Sequence, residues 1–273
     1  MIVIMSEKIH RSVVAIVGAM VVLILGLVKF TDPEAHAESV AGAVQIDSII
    51  DLNTLGVLFG MMLFVAVVKQ SGIFEYLAIR CAKLAKGNAW RVMMIFVILT
   101  AVLSAFLDNV TTVLLIGPMT LTICKIMKQN PIPFFMTQIL ASNIGGTATL
   151  IGDPPNIMIG SSANLSFADF LLIDGPCVVL ILAAVIVLFY FMYGRKMEVH
   201  PNDRKKIDQM DANKEIKNKY LTTLSVIMIA LVVVFFMIHD NLGLKSSIIA
   251  MSAAGLMLLL SRCSVEKALL DVE

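Results

Sequence analysis

Two short runs put side-chain oxygens and amides into otherwise apolar sequence. The first is Asp108-Asn109-Val110-Thr111-Thr112. The second is Ser142-Asn143-Ile144-Gly145-Gly146-Thr147, followed by Gly152-Asp153-Pro154-Pro155-Asn156. Asp108 is the only charged residue between Arg91 and Lys125, and Asp153 the only one between Lys128 and Asp169. A carboxylate in such surroundings costs roughly 2.5–3.5 kcal/mol on insertion scales, so a chain keeps one there for a use. Asn, Ser and Thr oxygens together with backbone carbonyls suit a hard cation such as sodium, and Asn109, Ser142 and Asn143 are candidate Na+ ligands. Asp108 or Asp153 would neutralise that ion or carry a proton. The residues with the chemistry to hold an ion or solute are therefore Asp108, Asn109, Thr111, Thr112, Ser142, Asn143, Gly145, Gly146, Thr147, Asp153 and Asn156. A plainer alternative stays open, in which these groups only bond one another and hold the backbone in shape.

The elements that must position them are membrane helices. Hydrophobic residues make up 59% of the 273 positions and charged residues 15%, which is too much apolar surface for a soluble core of this length. The net charge of +1 says little beside the placement of the charges. Cys81, Cys124, Cys177 and Cys263 form no CxxC pair, which argues against a zinc site or a disulfide framework. His10, His36, His200 and His239 all lie outside the apolar runs. Nothing in the charge pattern suits nucleic acid, and no cofactor is expected beyond a transported or coupling ion, Na+ or H+.

In chain order, Ser12 to Val28 is long enough to approach a bilayer crossing, with a signal-peptide alternative because Ala35-His36-Ala37 follows. Residues 31–51 are acidic and read as an outside loop. Leu52 to Val68 is a second crossing, ended by Ser71-Gly72. Ile73 to Lys86 reads as an amphipathic surface helix, with Ile73, Phe74, Leu77, Cys81 and Leu84 on its apolar face. Val92 to Leu107 and Val110 to Cys124 are apolar arms joined at Asp108-Asn109, either two full crossings or a hairpin that stops midway. Thr111 and Thr112 are candidate caps for the second arm. From Phe134 an apolar segment meets Gly145-Gly146, which loosens its backbone, and Pro154-Pro155, which removes two amide donors. Broken backbone at membrane depth is tolerated only where protein or a water-filled cavity satisfies it.

Ser166 to Asp174 reads as a second outside loop, and Pro176 to Gly194 crosses back. Arg195 to Lys219 is strongly basic and reads as a solvated cytoplasmic linker. Leu221 to Ile238 and Ser246 to Ser261 are two further crossings. The charge pattern puts the N-terminus in the cytoplasm and the chain in the plasma or inner membrane, with the lipid bilayer as its surroundings. The units expected are an N-terminal helix and outer loop (1–46), a transporter repeat (47–194, hairpin about 92–124, broken helix about 134–162), a linker (195–219), and two helices leading onward (220–273).

With those residues in view, the chain resembles the ion transporter superfamily, and within it the ArsB/NhaD permeases, a group that includes the melanosomal P protein. FLDNVTT (106–112) and SNIGGTATLIGDPPN (142–156) look like that family's paired signatures, and the match runs from about Asp51 to the end of the chain. The resemblance implies an all-α integral membrane protein with an inverted-repeat secondary transporter fold, a re-entrant hairpin at 92–124 and a broken transmembrane helix. It implies that the hairpin tip meets the loop at 142–156, that 73–86 is an interfacial helix, that transport follows an ion gradient, and that the protein is a homodimer. In one respect the sequence departs from the dicarboxylate transporters of that superfamily. Asp108 stands where they carry a Ser-Asn-Thr pattern, which should repel an anion unless a cation screens it. The chain also holds one repeat only, and SVEKALLDVE (264–273) resembles the lead-in to a second.

Cation/proton exchange is therefore the expected function, with arsenite or organic-anion permeation the alternative inside the same superfamily. Outside it, a non-transporting half protein or assembly partner is a competing class. An intramembrane aspartyl protease is another, although the chain lacks a Tyr-Asp pair and only loosely echoes Gly-x-Gly-Asp. The expectation is a transporter and no enzyme.

Overall fold

The computed structural model describes residues 17, 51–163, 165–197, 207, 209–239, 242–261 and 265–270. The chain divides into two compact units, residues 1–50 and 51–273, and of the first only Val17 is described. The crossing expected at Ser12 to Val28 and the acidic loop after it thus lie outside the described residues.

Among the described residues the second unit is entirely helical. Its α-helices are α1 (Leu52–Lys69), α2 (Ile73–Leu84), α3 (Ala89–Ser104), α4 (Asn109–Ile126), α5 (Pro131–Gly146), α6 (Pro154–Ala163), α7 (Phe167–Met192), α8 (Lys219–Ile238), α9 (Ser246–Ser261) and α10 (Val265–Leu270). α1, α4, α7 and α8 are long and apolar enough to cross a membrane, and α3 and α9 are shorter apolar helices. Most of the starts are capped: Asp51, Asn88, Asp108, Asn130, Ser166 and Asn218 each accept a backbone N–H of the first turn.

Helix lengths set the depth of the two breaks. α7 has 26 residues and is about 39 Å long. Trp90 at the start of α3 packs against Tyr190 near the end of α7, with ring centroids 5.2 Å apart. Further along, Val97 and Ala101 of α3 share a cluster with Leu182 and Ile186 of α7, so the two helices run antiparallel from a common end. α3 then stops after 16 residues, about 24 Å, and leaves about 15 Å of α7 beyond its tip. α3 and α4 meet in a hairpin at Asp108, whose tip stops short of the start of α7. α5 matches α3 with 16 residues, and the 10 residues of α6 add about 15 Å. Together the two halves of this broken helix equal α7. Both breaks lie within about one helical turn of the middle of α7. Trp90, Tyr190, Tyr193 and the Arg195 guanidinium over the Phe191 ring form an aromatic and basic belt at the end they share.

Three sequence expectations change. The outside loop expected at Ser166 to Asp174 is the first part of α7. Ser166 and Asp169 form a reciprocal capping box that starts the helix at Phe167, and Pro176 is carried inside it. Asp169 accepts from both the backbone N–H and the hydroxyl of Ser166. On α2 the buried residues are Ile73, Phe74, Ala78, Ile79 and Ala82, whereas Leu84 is 70% exposed. Small alanines let α2 lie close against α3 and α4, which rotates its buried face away from the one that side-chain hydrophobicity alone selects. Nor is the basic linker only solvated. Ile207 and Ala212 are buried in the α2–α3–α4 cluster, and Lys217 N donates to Ser71 O at 3.2 Å. At Gly72, φ is +81° and a Cβ would fall 1.9 Å from Glu215 O, so only glycine lets the linker dock there.

α1 packs along α9 through Gly56 and Gly60. A Cβ at Gly60 would stand 2.7 Å from Ala250 C and 2.8 Å from Met251 N, backbone atoms that cannot swing aside. Close backbone approach through small residues is how apolar helices gain van der Waals contact where lipid competes for the same surface. Gly60→Ala should therefore lower stability by about 1–3 kcal/mol, the usual scale of overpacking. Gly255→Ala on α9, where a Cβ meets nothing within 4 Å, should be neutral or slightly stabilising. Thermal unfolding midpoints of the two variants in detergent check this; equal midpoints would refute the packing argument.

Candidate functional site

Asn109 is the first residue of α4, placed at the hairpin tip because Asp108 accepts Thr111 N at 2.9 Å and caps the helix there. The cap is thus Asp108 rather than Thr111 or Thr112. A carboxylate at a helix N-terminus also faces the positive end of the helix dipole, which stabilises its charge. From this position the Asn109 amide reaches across to the other break. Its Nδ2 donates to Asn143 Oδ1 at 3.2 Å and to Asp153 Oδ2 at 3.1 Å. Both amide hydrogens are then used. Ser104 Oγ, fully buried at the end of α3, lies 2.8 Å from Asn109 Oδ1 and 2.7 Å from Ser142 O, bridging the tip to α5.

The broken helix supplies the facing wall. Gly145 and Gly146 stay helical rather than loosening the backbone; their use is space. A Cβ on Gly145 would stand 2.2 Å from Ala101 O, and one on Gly146 would stand 2.4 Å from Asn109 Oδ1. Gly152 is equally tight, with a Cβ 2.4 Å from Gly146 O and 2.8 Å from Ser104 O. Pro154 and Pro155 open α6, where the missing amide donors would have had no helical partner. Between the halves, Asn156 is buried and donates from Nδ2 to Gly146 O at 3.0 Å and Thr149 O at 2.9 Å. Thr149 Oγ1 donates to Ala105 O and ties the loop to the hairpin.

The structure therefore brings together Asn109, Ser142 through its carbonyl, Asn143, Gly145, Gly146 and Asp153. Asn143 and Thr147 are exposed, and their side chains donate to Ile139 O and Ile144 O. Thr111 is half-buried beside the tip. Thr112 is fully buried one turn further in, and its hydroxyl makes no hydrogen bond. Asn156 sits behind the junction as a brace. Ser104 and Thr149 belong to the junction and were not selected from the sequence. The available signal was that Thr100 and Ser104, one turn apart, are the only hydroxyls in the apolar α3. Among the described residues no group of three or more His, Cys, Asp or Glu could hold a metal ion. What the junction offers instead is oxygen: the Asp153 carboxylate, Asn109 Oδ1, Asn143 Oδ1 and the exposed ends of two helices, the arrangement from which broken helices build ion sites.

At the far end of α1, Asp51 accepts from Asn53 N at 2.9 Å and from Thr54 Oγ1. Burial would raise its pKa, but hydrogen bonds from Thr54, Ser161 and the backbone outweigh that and hold the carboxyl below its usual value.

A family model described as citrate transporters (CitMHS) matches residues 1–273. Uncharacterized transporters of Mycobacterium bovis and Mycobacterium tuberculosis are 36% identical over 269 residues, covering 98% of this chain and 60% of theirs. The P protein of Mus musculus is 33% identical over 207 residues, 73% of this chain and 24% of that protein. The chain thus spans about three fifths of the length of the mycobacterial relatives.

The brace can be tested separately from any transport. Asn156→Ala leaves two buried carbonyls without their donor, at about 1–3 kcal/mol each. Asn156→Asp keeps the shape but sets a carboxylate against the same carbonyls, so it should destabilise more than the truncation. Unfolding midpoints of the two variants in detergent decide it, and an aspartate variant as stable as the wild type would remove Asn156 from that role. Lowering pH through the depressed Asp51 pKa should also weaken the cap at the start of α1. Its contribution is present above the ordinary carboxylate pKa and lost below the folded one, and Asp51→Asn should flatten that acid limb of the stability profile.

Proposed function

Because the chain belongs to the citrate transporter family, we propose that it forms the ion-holding part of a secondary active transporter driven by Na+ or H+. The observation that carries the reading is the Asn109 amide bonded to both Asn143 and Asp153. It joins the hairpin tip to both halves of the broken helix and sets the Asp153 carboxylate at their meeting point. From Gln129 to Gly194 there is no Lys, Arg or His, and from Val92 to Cys124 there is none either. A cation therefore meets no positively charged side chain of these segments at this junction, and would displace the Asn109 amide from the oxygens it now holds. Asn109, Ser142 and Asn143 are the proposed Na+ ligands, with Asp153 the group that neutralises the ion or takes its place with a proton. Asp108 adds a second negative charge at the tip while capping α4.

Cation/proton exchange of the ArsB/NhaD kind fits these charges best. The basic belt and linker set the cytoplasmic side by the positive-inside rule, with the N-terminus there too. A homodimer in the plasma or inner membrane is the proposed assembly. A second reading rests on the family's description: a carboxylate such as citrate would have to arrive with a cation, because the bare anion meets two aspartates and no positive side chain. Arsenite permeation has no specific residue in its favour.

Flux measured in proteoliposomes, with pH and Na+ gradients imposed separately, tests the mechanism. Asp153→Ala should abolish ion-coupled flux, and Asn109→Ala should reduce it by about tenfold or more, the loss of roughly one charge-assisted hydrogen bond. Wild-type flux from the Asp153 variant would end the proposal. Citrate uptake that needs a divalent cation would select the second reading, whereas gradient-driven Na+ movement without citrate would select the first.

A further inference from the structure

The two ends of the Asn109 carboxamide are matched unequally. Its Nδ2 gives both hydrogens to Asn143 Oδ1 and Asp153 Oδ2. At the other end, Asn109 Oδ1 and Ser142 O stand 2.8 and 2.7 Å from Ser104 Oγ, which has one hydrogen for the two of them. One turn along α4, Thr112 is fully buried and its hydroxyl makes no hydrogen bond. Residues three apart on a helix are neighbours, and a helical side chain leans back over the preceding turn, so Thr112 Oγ1 lies toward Asn109. By contrast, Thr120, Thr137 and Ser142 bond back to carbonyls of their own helices, as hydroxyls in apolar helices do. Among the described residues Thr100 and Ser225 also leave a buried hydroxyl unbonded, but only Thr112 stands on the helical turn next to Asn109. A buried hydroxyl left unbonded lowers stability, which is accounted for if another state of the junction uses it.

A bound cation requires that other state, because it needs oxygen where Nδ2 now stands. Half a turn about the Asn109 Cβ–Cγ bond exchanges the two ends of the carboxamide. Oδ1 then faces Asn143 and Asp153, while Nδ2 faces Ser104 Oγ and leaves the Ser104 hydrogen to Ser142 O alone. One Nδ2 hydrogen remains, and Thr112 Oγ1 is the free acceptor on the adjacent turn. The exchange keeps the shape of the side chain, which matters because a Cβ on Gly146 would stand only 2.4 Å from Asn109 Oδ1. Asn143 cannot make the same exchange without losing the bond from its Nδ2 to Ile139 O at 2.7 Å. We propose that the Asn109 carboxamide is a two-position switch, with Nδ2 on Asn143 and Asp153 in the ion-free junction and on Ser104 and Thr112 when Na+ is bound. Thr112 is then a positioning residue that acts on the ion through Asn109, an inference that rests on the Na+ form of the function proposed above.

Melting midpoints in detergent, titrated with NaCl against choline chloride at constant ionic strength and pH, test this for the wild type, Thr112→Val and Thr112→Ser. Without Na+, Thr112→Val should melt at or above the wild-type temperature, because it removes a buried hydroxyl that has no partner. Its half-maximal Na+ concentration should rise about tenfold, the scale of one lost hydrogen bond, and Thr112→Ser should return it close to the wild-type value. Three results overturn the switch and leave the ion junction standing: a Na+ response in Thr112→Val equal to the wild type, a loss of stability in that variant that is the same with and without Na+, or a serine variant as weak in Na+ as the valine one. A wild-type midpoint indifferent to Na+ overturns the Na+ form of the function and the switch with it. If Thr112→Val fails to elute as a single species, Thr112→Ala takes its place, and its half-maximal Na+ concentration decides in the same way.

Discussion

The structure depends on one amide. Asn109 uses both hydrogens of Nδ2 to hold Asn143 and Asp153, which belong to the two halves of a different, broken helix. Its own oxygen lies within hydrogen-bond distance of Ser104. It thereby joins the end of α3 and both halves of the broken helix. Such ends carry unpaired N–H and C=O groups, and a hydrocarbon setting leaves them no solvent to turn to. The junction is where those groups find partners, and where oxygen is left over to bind something else.

Everything around Asn109 exists to let backbones come that close. Gly145, Gly146 and Gly152 each stand where a methyl group would strike a main-chain or amide oxygen within 2.4 Å. Ser104 and Thr149 carry short hydroxyls that bond across the gap rather than fill it. Asn156 spends its amide on two carbonyls of the loop. Small residues and short polar groups thus do for this junction what bulky apolar residues do for an ordinary core. The same logic holds at the α1–α9 contact, where Gly56 and Gly60 replace side-chain interdigitation with backbone proximity.

The scaffold sets the depth. α3 and α5 each stop after 16 residues while α7 continues for 26, so both breaks lie beside the middle of α7 rather than at its ends. The basic linker, docked through Ile207, Ala212 and the Gly72 turn, fixes α2 beneath the hairpin. The hairpin arms are therefore braced by a packed cluster.

Much of this was legible in the chain. Apolar runs of 15 to 20 residues give the helices, the lone Asp108 and Asp153 mark the polar positions, and Gly-Gly and Pro-Pro mark the interruption, because each follows from one residue's own chemistry. Other features were not legible. Whether the arms at 92–124 cross or turn back depends on the partner that α3 starts beside. The buried face of α2 depends on which helices its alanines approach. Pro176 could sit inside α7 because the capping box and the surrounding packing outweigh one lost hydrogen bond. Sequence determined which residues are costly to bury and so must be used. Only tertiary structure decided that Asn109 meets Asn143 and Asp153, since partners 34 and 44 positions away are chosen by how helices pack, and no local pattern encodes that distance.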